Sequence, residues 1–126
     1  MFEPYDVLVQ LRDRLSQNVN LNTCKIGIET GLSPDDYPMI RLVPVRFKRL
    51  DTVRMHMELL VYFGMNQVES DNSLEALYQE LLTMDELIKE TLKVGNQFMI
   101  KHLETITDED RLDHFKLFAS RFEIVG

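Results

Sequence analysis

The chain has 126 residues, a net charge of -7 and an apolar fraction of 44%, a composition typical of one globular domain. The negative charge argues against a nucleic-acid-binding protein that depends on phosphate contacts. The lone cysteine, Cys24, excludes an intramolecular disulfide and a cysteine-rich zinc site, and the longest apolar run, 59–63, is too short to cross a membrane. No secretory signal is visible at the N-terminus, so we expect a soluble intracellular protein.

Residues 4–19 are predicted to form an amphipathic helix. Pro4 suits a first helical turn, and Asp6 suits the positive end of the helix dipole. The apolar residues repeat at helical spacing: Val7, Leu8, Leu11 and Leu15. Residues 24–29 alternate in polarity and are predicted to form a short edge strand. Residues 31–37 contain glycine, proline and aspartate and are predicted to form a loop.

The next two segments, 38–50 and 53–65, are predicted to form two strands joined by a short turn. In the second segment every odd position from 53 to 63 is apolar, which is the period-two pattern of one strand face. The even positions are polar at first and become apolar at Leu60 and Tyr62. A strand with apolar side chains on both faces needs two packing partners, and we expect the second partner to be another copy of the chain.

The first of these strands changes the parity of its apolar residues after Pro44. A bulge at Val43–Pro44 would return the apolar residues to one face. The other face would then carry Arg41, Arg46 and Lys48. Because proline has no N–H group to donate, we expect one side of this strand to be unpaired near Pro44.

A polar loop over 64–73 precedes a second predicted helix over 74–92. Thr83 and Glu86 have the spacing of a capping box inside this segment, so the helix is predicted to break near Met84. Two further strands are predicted beyond the helix.

These last strands, 98–105 and 114–125, flank a predicted acidic turn at 107–113. The order of elements is therefore α-β-β-β-α-β-β. It predicts a single α+β domain spanning residues 1–126, with a mostly antiparallel mixed sheet of about five strands and two or three helices packed on one face.

Charge is distributed unevenly along the chain. Residues 41–54 contain five basic residues and one acid, whereas residues 69–90 contain seven acids and one base. Two interpretations are open. The two segments form solvated faces of opposite sign, or they meet in a repeated head-to-tail contact between copies of the chain.

The sequence contains no catalytic or cofactor-binding motif. The three histidines lie in three separate predicted strands and lack metal-ligand spacing: His56, His102 and His114. The glycines never cluster into a phosphate-binding loop, and no serine has the context of a nucleophile elbow. The acidic run 108–110 lacks the alternating ligands and the glycine of a calcium loop. We therefore expect a protein that is not an enzyme and has neither a cofactor nor a metal site.

Four stretches of the chain occur in an order that is shared with a known family. They are the N-terminal helix with its short strand, the string Asp35-Asp36-Tyr37-Pro38 before an apolar strand, the long strand 54–65 with the broken helix 74–92, and the closing acidic hairpin. In this order they resemble the lambda-type phage tail terminator family, also called minor tail or tail-completion proteins. The resemblance spans nearly the whole chain.

The resemblance implies a structural ring, usually a hexamer, that caps the growing tail tube of a phage or prophage and presents a surface to the head. Its implied partners are copies of itself, the major tail tube protein and a head-completion protein. It implies neither specific nucleic-acid binding nor contact with a membrane. It would reside in the host cytoplasm during assembly and then in the virion tail.

The family offers no residue motif for tube binding, so the interface residues are inferred from charge alone. A basic face is predicted from Arg41, Arg46, Lys48, Arg49 and Arg54. A loop reaching a neighbouring copy is predicted from Asp108, Glu109 and Asp110. Two other functions remain open: a small dimeric adaptor that uses an exposed sheet face, and a ligand-binding domain with a pocket between its helices and its sheet.

Overall fold

The predicted order of elements is the observed one. A computed structural model describes residues 3–28, 36–66, 74–93, 98–112 and 115–126. Its elements are α1 (Pro4–Asn18), β1 (Thr23–Ile26), β2 (Met39–Arg49), β3 (Met55–Asn66), α2 (Leu74–Lys93), β4 (Met99–Leu112) and β5 (Phe115–Val125). The protein is a single α+β domain, which confirms the predicted fold class.

The strands form one mixed sheet in the order β1-β2-β3-β5-β4. β1 lies at one edge, as predicted, and runs parallel to β2, whereas the other neighbours are antiparallel. Both helices pack on the same face, where their apolar stripes meet the apolar face of β2, β3 and β5. Neither described helix is long and apolar enough to cross a membrane. We call the opposite face of the sheet the open face.

α1 follows directly from its sequence. Pro4 lies in the first turn, Asp6 provides the negative charge that the N-terminus favours, and all four residues of the predicted apolar stripe are buried. The backbone N–H of Val19 donates to the carbonyl of Leu15 where the helix ends.

α2 continues without a break from Leu74 to Lys93, so the predicted interruption near Met84 is wrong. The segment contains neither proline nor glycine. The hydroxyl of Thr83 donates to the carbonyl of Gln79 at 2.8 Å rather than capping a new helix. Nothing in this segment therefore interrupts the backbone hydrogen bonds of the helix.

Parts of two predicted loops belong to strands, while residues 67–73 of the first loop lie outside the described residues. Gly64 lies inside β3, which stays paired with β5 as far as Asn66. A Cβ atom at Gly64 would lie 2.8 Å from the carbonyl oxygen of Lys116 and 2.9 Å from the ring of Tyr37, so the glycine permits close packing rather than a turn. The predicted turn at 107–113 is also wrong over residues 107–112, because β4 pairs with β5 again after a register shift.

The bulge in β2 lies one residue beyond its predicted place. The register between β2 and β3 shifts between Pro44 and Arg46, so Val45 is the extra residue. As predicted, Phe47 and Lys48 then lie on opposite faces of the sheet. Phe47 lies on the helix-covered face, and Lys48 lies on the open face. β1 pairs with β2 only as far as Leu42, which leaves the rest of β2 at an edge of the described sheet.

Candidate functional site

The end of β2 and its turn into β3 lie at one end of the sheet and carry most of the predicted basic residues. We call residues 45–54 the basic hairpin end. Its four cationic side chains are exposed: Arg46, Lys48, Arg49 and Arg54. Their exposure agrees with the sequence prediction, while their role in an interface remains a prediction.

Large apolar side chains accompany these cations. The exposed fractions are 49% for Val45, 48% for Phe47, 44% for Leu50 and 62% for Val53. Scattered apolar residues are common on protein surfaces, but four within ten residues of one hairpin are concentrated. Such a concentration, surrounded by charge, is typical of a surface that contacts another protein.

The turn of the basic hairpin end is held by one carboxylate. Asp51 Oδ1 accepts hydrogen bonds from the backbone N–H groups of Val53 at 2.9 Å and Arg54 at 2.7 Å. Its Oδ2 accepts from Arg54 Nε at 2.8 Å. The hydrogen bond from Val53, followed by those from Arg54, lowers the pKa of Asp51. The ionised carboxylate therefore orders the turn locally, as in an Asx turn.

Arg41 is not part of this surface, and its predicted exposure is wrong. The side chain is fully buried on the open face. Its Nη1 donates to Thr23 Oγ1 at 2.8 Å and to the carbonyl of Ile40 at 3.0 Å. β1 flanks β2 at this point, and a small apolar cluster covers the same end of the open face.

That cluster joins the string before β2 to three strands. It consists of Tyr37 from the string, Met39 of β2 and Leu117 of β5, with Tyr62 of β3 packed against it. The string is attached to the start of β1: Asn22 Nδ2 donates to the carbonyl of Tyr37 at 2.6 Å, and Thr23 Oγ1 donates to that of Asp36 at 2.9 Å. Sequence periodicity does not reveal this cover, because it joins segments that are distant in the chain.

The predicted acidic contact loop is placed only in part. The backbone of Asp108, Glu109 and Asp110 belongs to β4, where the register shift between Ile106 and Asp110 lies. The side chains of all three lie outside the described residues. Their predicted contact with a neighbouring copy stays a prediction.

Charged residues in the middle of the open face pair with one another. Arg121 reaches Glu58 at 3.5 Å and Glu104 at 3.4 Å. His56 Nε2 lies 2.9 Å from Glu123 Oε1. These side chains come from three neighbouring strands, so their opposite charges lie within one surface. The open face therefore combines polar pairs with the half-buried side chains of Leu60 and Tyr62.

A buried polar cluster connects α2 to the sheet, and the sequence analysis missed it. Asp85 is almost fully buried, and its Oδ2 accepts from Thr105 Oγ1 at 2.9 Å and from Lys89 Nζ at 3.1 Å. Since Thr105 donates its single hydroxyl hydrogen to Asp85, it accepts from His102 Nε2 at 2.9 Å. Asp85 lies between Leu81 and Ile88 on the buried stripe of α2. A carboxylate within an apolar stripe needs polar partners when it is buried, so its position in the sequence could have indicated this cluster.

His102 makes this cluster sensitive to pH. Burial lowers the pKa of its imidazole, and the positive charge of Lys89 lowers it further. The unfolded chain therefore binds this proton more tightly than the folded protein does. Acidification between the ordinary histidine pKa, about 6.5, and the lowered value should favour unfolding.

We expect the free energy of unfolding of the parent protein to fall across this pH interval. His102→Gln should remove that part of the pH dependence, because no proton is taken up at this position on unfolding. Urea unfolding at several pH values between about 5 and 8 measures both slopes. Equal slopes for the two proteins would contradict the assignment to His102.

The outer side of α2 forms a second candidate surface. We call it the α2 groove, an open depression of about 640 Å³ with a mainly apolar lining. Its lining residues follow one stripe of the helix: Glu75, Tyr78, Gln79, Leu82, Thr83 and Glu86. The Tyr78 ring lies 5.6 Å from that of Phe118, and Lys116 Nζ lies 5.5 Å from the Tyr78 ring centre. The groove is therefore supported from beneath by β5.

No group of three or more histidine, cysteine or acidic residues could hold a metal ion within the part of the chain that the structure describes. The space between the helices and the sheet is occupied by the buried side chains of the core. The two candidate surfaces offer charge and apolar area. Comparison with models of known families and with curated protein sequences finds no match for this chain.

Proposed function

We propose that this protein is a structural, non-enzymatic subunit of a phage or prophage tail. Copies of it assemble into a ring that terminates the tail tube and joins the tail to the head. Its partners are other copies of the chain, the major tail tube protein and a head-completion protein.

The observation that carries the proposal is the one-sided cover of the sheet. α1 and α2 both pack on one face, and the described part of the chain places no helix on the open face. One end of the open face has the small cover from the string before β2, while Met99 near the other end is 69% exposed. A sheet with this distribution retains area that a neighbouring copy can bury.

Two further observations support the proposal. The order α1-β1-β2-β3-α2-β4-β5 is the order on which the resemblance to tail terminators depends, although α2 is continuous where the resemblance included a break. The best defined polar cluster, around Asp85, joins α2 to β4 through Asp85 Oδ2, while Asp85 Oδ1 is buried without a hydrogen-bond partner. The contacts of Oδ2 serve to position α2 on the sheet.

Assembly of the purified protein tests the proposal. We expect sedimentation over a range of concentrations to show association into a closed particle of about six copies, and electron microscopy to show a ring. Added to a polymerising tail tube protein, the ring should stop growth of the tube at its end. Bovine serum albumin at equal mass serves as the control for nonspecific inhibition.

Other outcomes would contradict this function. A single-copy particle at every concentration would exclude the ring. A stable two-copy particle would support the dimeric adaptor, because an isologous contact closes with two subunits. Tubes that grow equally well with and without the protein would exclude tube termination even if a ring forms.

A further inference from the structure

We propose that the basic hairpin end of one copy docks into the α2 groove of the next copy. This inference rests on the proposed self-assembly and identifies one contact in it, on the helix side of the molecule rather than on the open face. The occupant of the groove is thus a second copy of this chain.

Opposite charge is the first argument for this pairing. The basic hairpin end contains four cationic residues and one acid, Asp51, which gives it a net charge of +3. The helix α2 contains five acids and two lysines, which gives it a net charge of -3. Within the groove itself the acids are Glu75 and Glu86, while Asp85 is buried and Lys89 is paired with Asp85 and Glu86. The two segments therefore carry net charges of opposite sign.

Apolar area is the second argument. Leu82 is 48% exposed within the groove, where it neighbours the ring of Tyr78 along the same helical stripe. Phe47 and Val53 are exposed at the basic hairpin end. Docking would remove this apolar area from water, while Arg46 and Lys48, which project from the other face of β2, lie within the same hairpin as Phe47. An apolar centre with a charged rim is the usual arrangement of a protein interface.

The unpaired edge of β2 does not favour the main alternative, addition of a neighbour's strand. Pro44 has no N–H group to donate, and the bulge at Val45 disrupts the spacing of the edge. A backbone ladder along this edge would therefore be interrupted at Pro44 and Val45.

The contact joins two different surfaces of the chain, the basic hairpin end and the α2 groove. A two-fold dimer could contain it only as a reciprocal pair, with each hairpin end on the partner's α2 groove at the same time. Where one such contact forms at each junction, the pairing is head-to-tail, and repeated head-to-tail contacts close into a ring when the rotation between copies permits.

Charge reversal on each surface tests the contact. The first variant carries Arg46→Glu and Lys48→Glu, and the second carries Glu75→Lys and Glu86→Lys. Each variant alone should associate at least about tenfold more weakly than the parent, because like charges then face each other. Circular dichroism and thermal unfolding verify that both variants fold.

An equimolar mixture of the two variants gives the decisive result. Each junction in the mixture can pair an acidic surface with a basic one, so particles of the parent size should form again, with the variants alternating. As a control for net charge, Lys25→Glu with Lys101→Glu changes the charge by the same amount as the first variant at exposed sites outside both surfaces. This control should assemble like the parent.

The outcomes separate this contact from the ring itself. Variants that assemble like the parent, or a mixture that stays as single copies, would overturn the proposed contact while the ring of the parent stands. A parent protein that never associates would overturn both the contact and the ring.

Discussion

Replacing Phe118 with alanine is expected to lower the free energy of unfolding by about 3–5 kcal/mol. The side chain is fully buried and joins three elements of the fold. Its ring meets that of Phe63 edge-to-face at 5.8 Å and that of Tyr78 at 5.6 Å. Alanine would leave a cavity between β3, β5 and α2, which the surrounding backbone cannot fill. Urea unfolding measures the loss.

Phe47→Ala is the matched control, since it removes the same group from a half-exposed position. We expect its free energy of unfolding to stay within about 1 kcal/mol of the parent value. Under the proposed docking, however, Phe47→Ala should weaken self-association. Equal losses of stability in the two variants would contradict the assignment of Phe118 to the core.

Replacing Asp85 with alanine is expected to lower the free energy of unfolding by about 1–3 kcal/mol. The substitution removes the acceptor of the Thr105 hydroxyl and one partner of Lys89. The loss should remain below that of a fully buried ion pair, because Lys89 is partly exposed and retains Glu86 at 2.8 Å. Denaturant unfolding near neutral pH measures the change.

Glu86→Ala is the control for Asp85→Ala, because both carboxylates contact the same lysine. Glu86 is exposed, and a surface ion pair contributes about 0–1 kcal/mol. The ratio of the two losses in free energy of unfolding therefore measures the contribution of burial rather than that of charge. A larger loss for Glu86→Ala than for Asp85→Ala would show that the buried cluster does not hold α2 on the sheet.

Local patterns explain the parts of the fold that could be predicted. The helical spacing in α1 and the alternation in β3 arise from neighbours within a few residues, and these elements formed where the sequence placed them. The parity change after Pro44 predicted a bulge that was correct to one residue. Element ends were less predictable, because β3 and β4 are prolonged by pairing with the distant strand β5.

The candidate surfaces also have features that local sequence predicts and features that only the tertiary structure explains. The exposure of Arg46 and Lys48 was predictable, since both lie on the polar side of a strand that borders water. Arg41 has the same residue type and lies on the same face, yet it is buried by a segment that reaches it only through the tertiary fold. The α2 groove required the structure as well, because the break predicted near Met84 would have divided it.

By itself, the sequence determined the α+β class, the order of the elements and the separation of charge between the β2–β3 hairpin and α2. These follow from composition and from periodicities of two and 3.6 residues, which are properties of short segments. Only the tertiary structure decided which cations reach solvent, that α2 is continuous, and that Asp85, Thr105 and His102 share one cluster. Burial and hydrogen bonding depend on contacts between residues far apart in the chain, and folding alone brings those residues together.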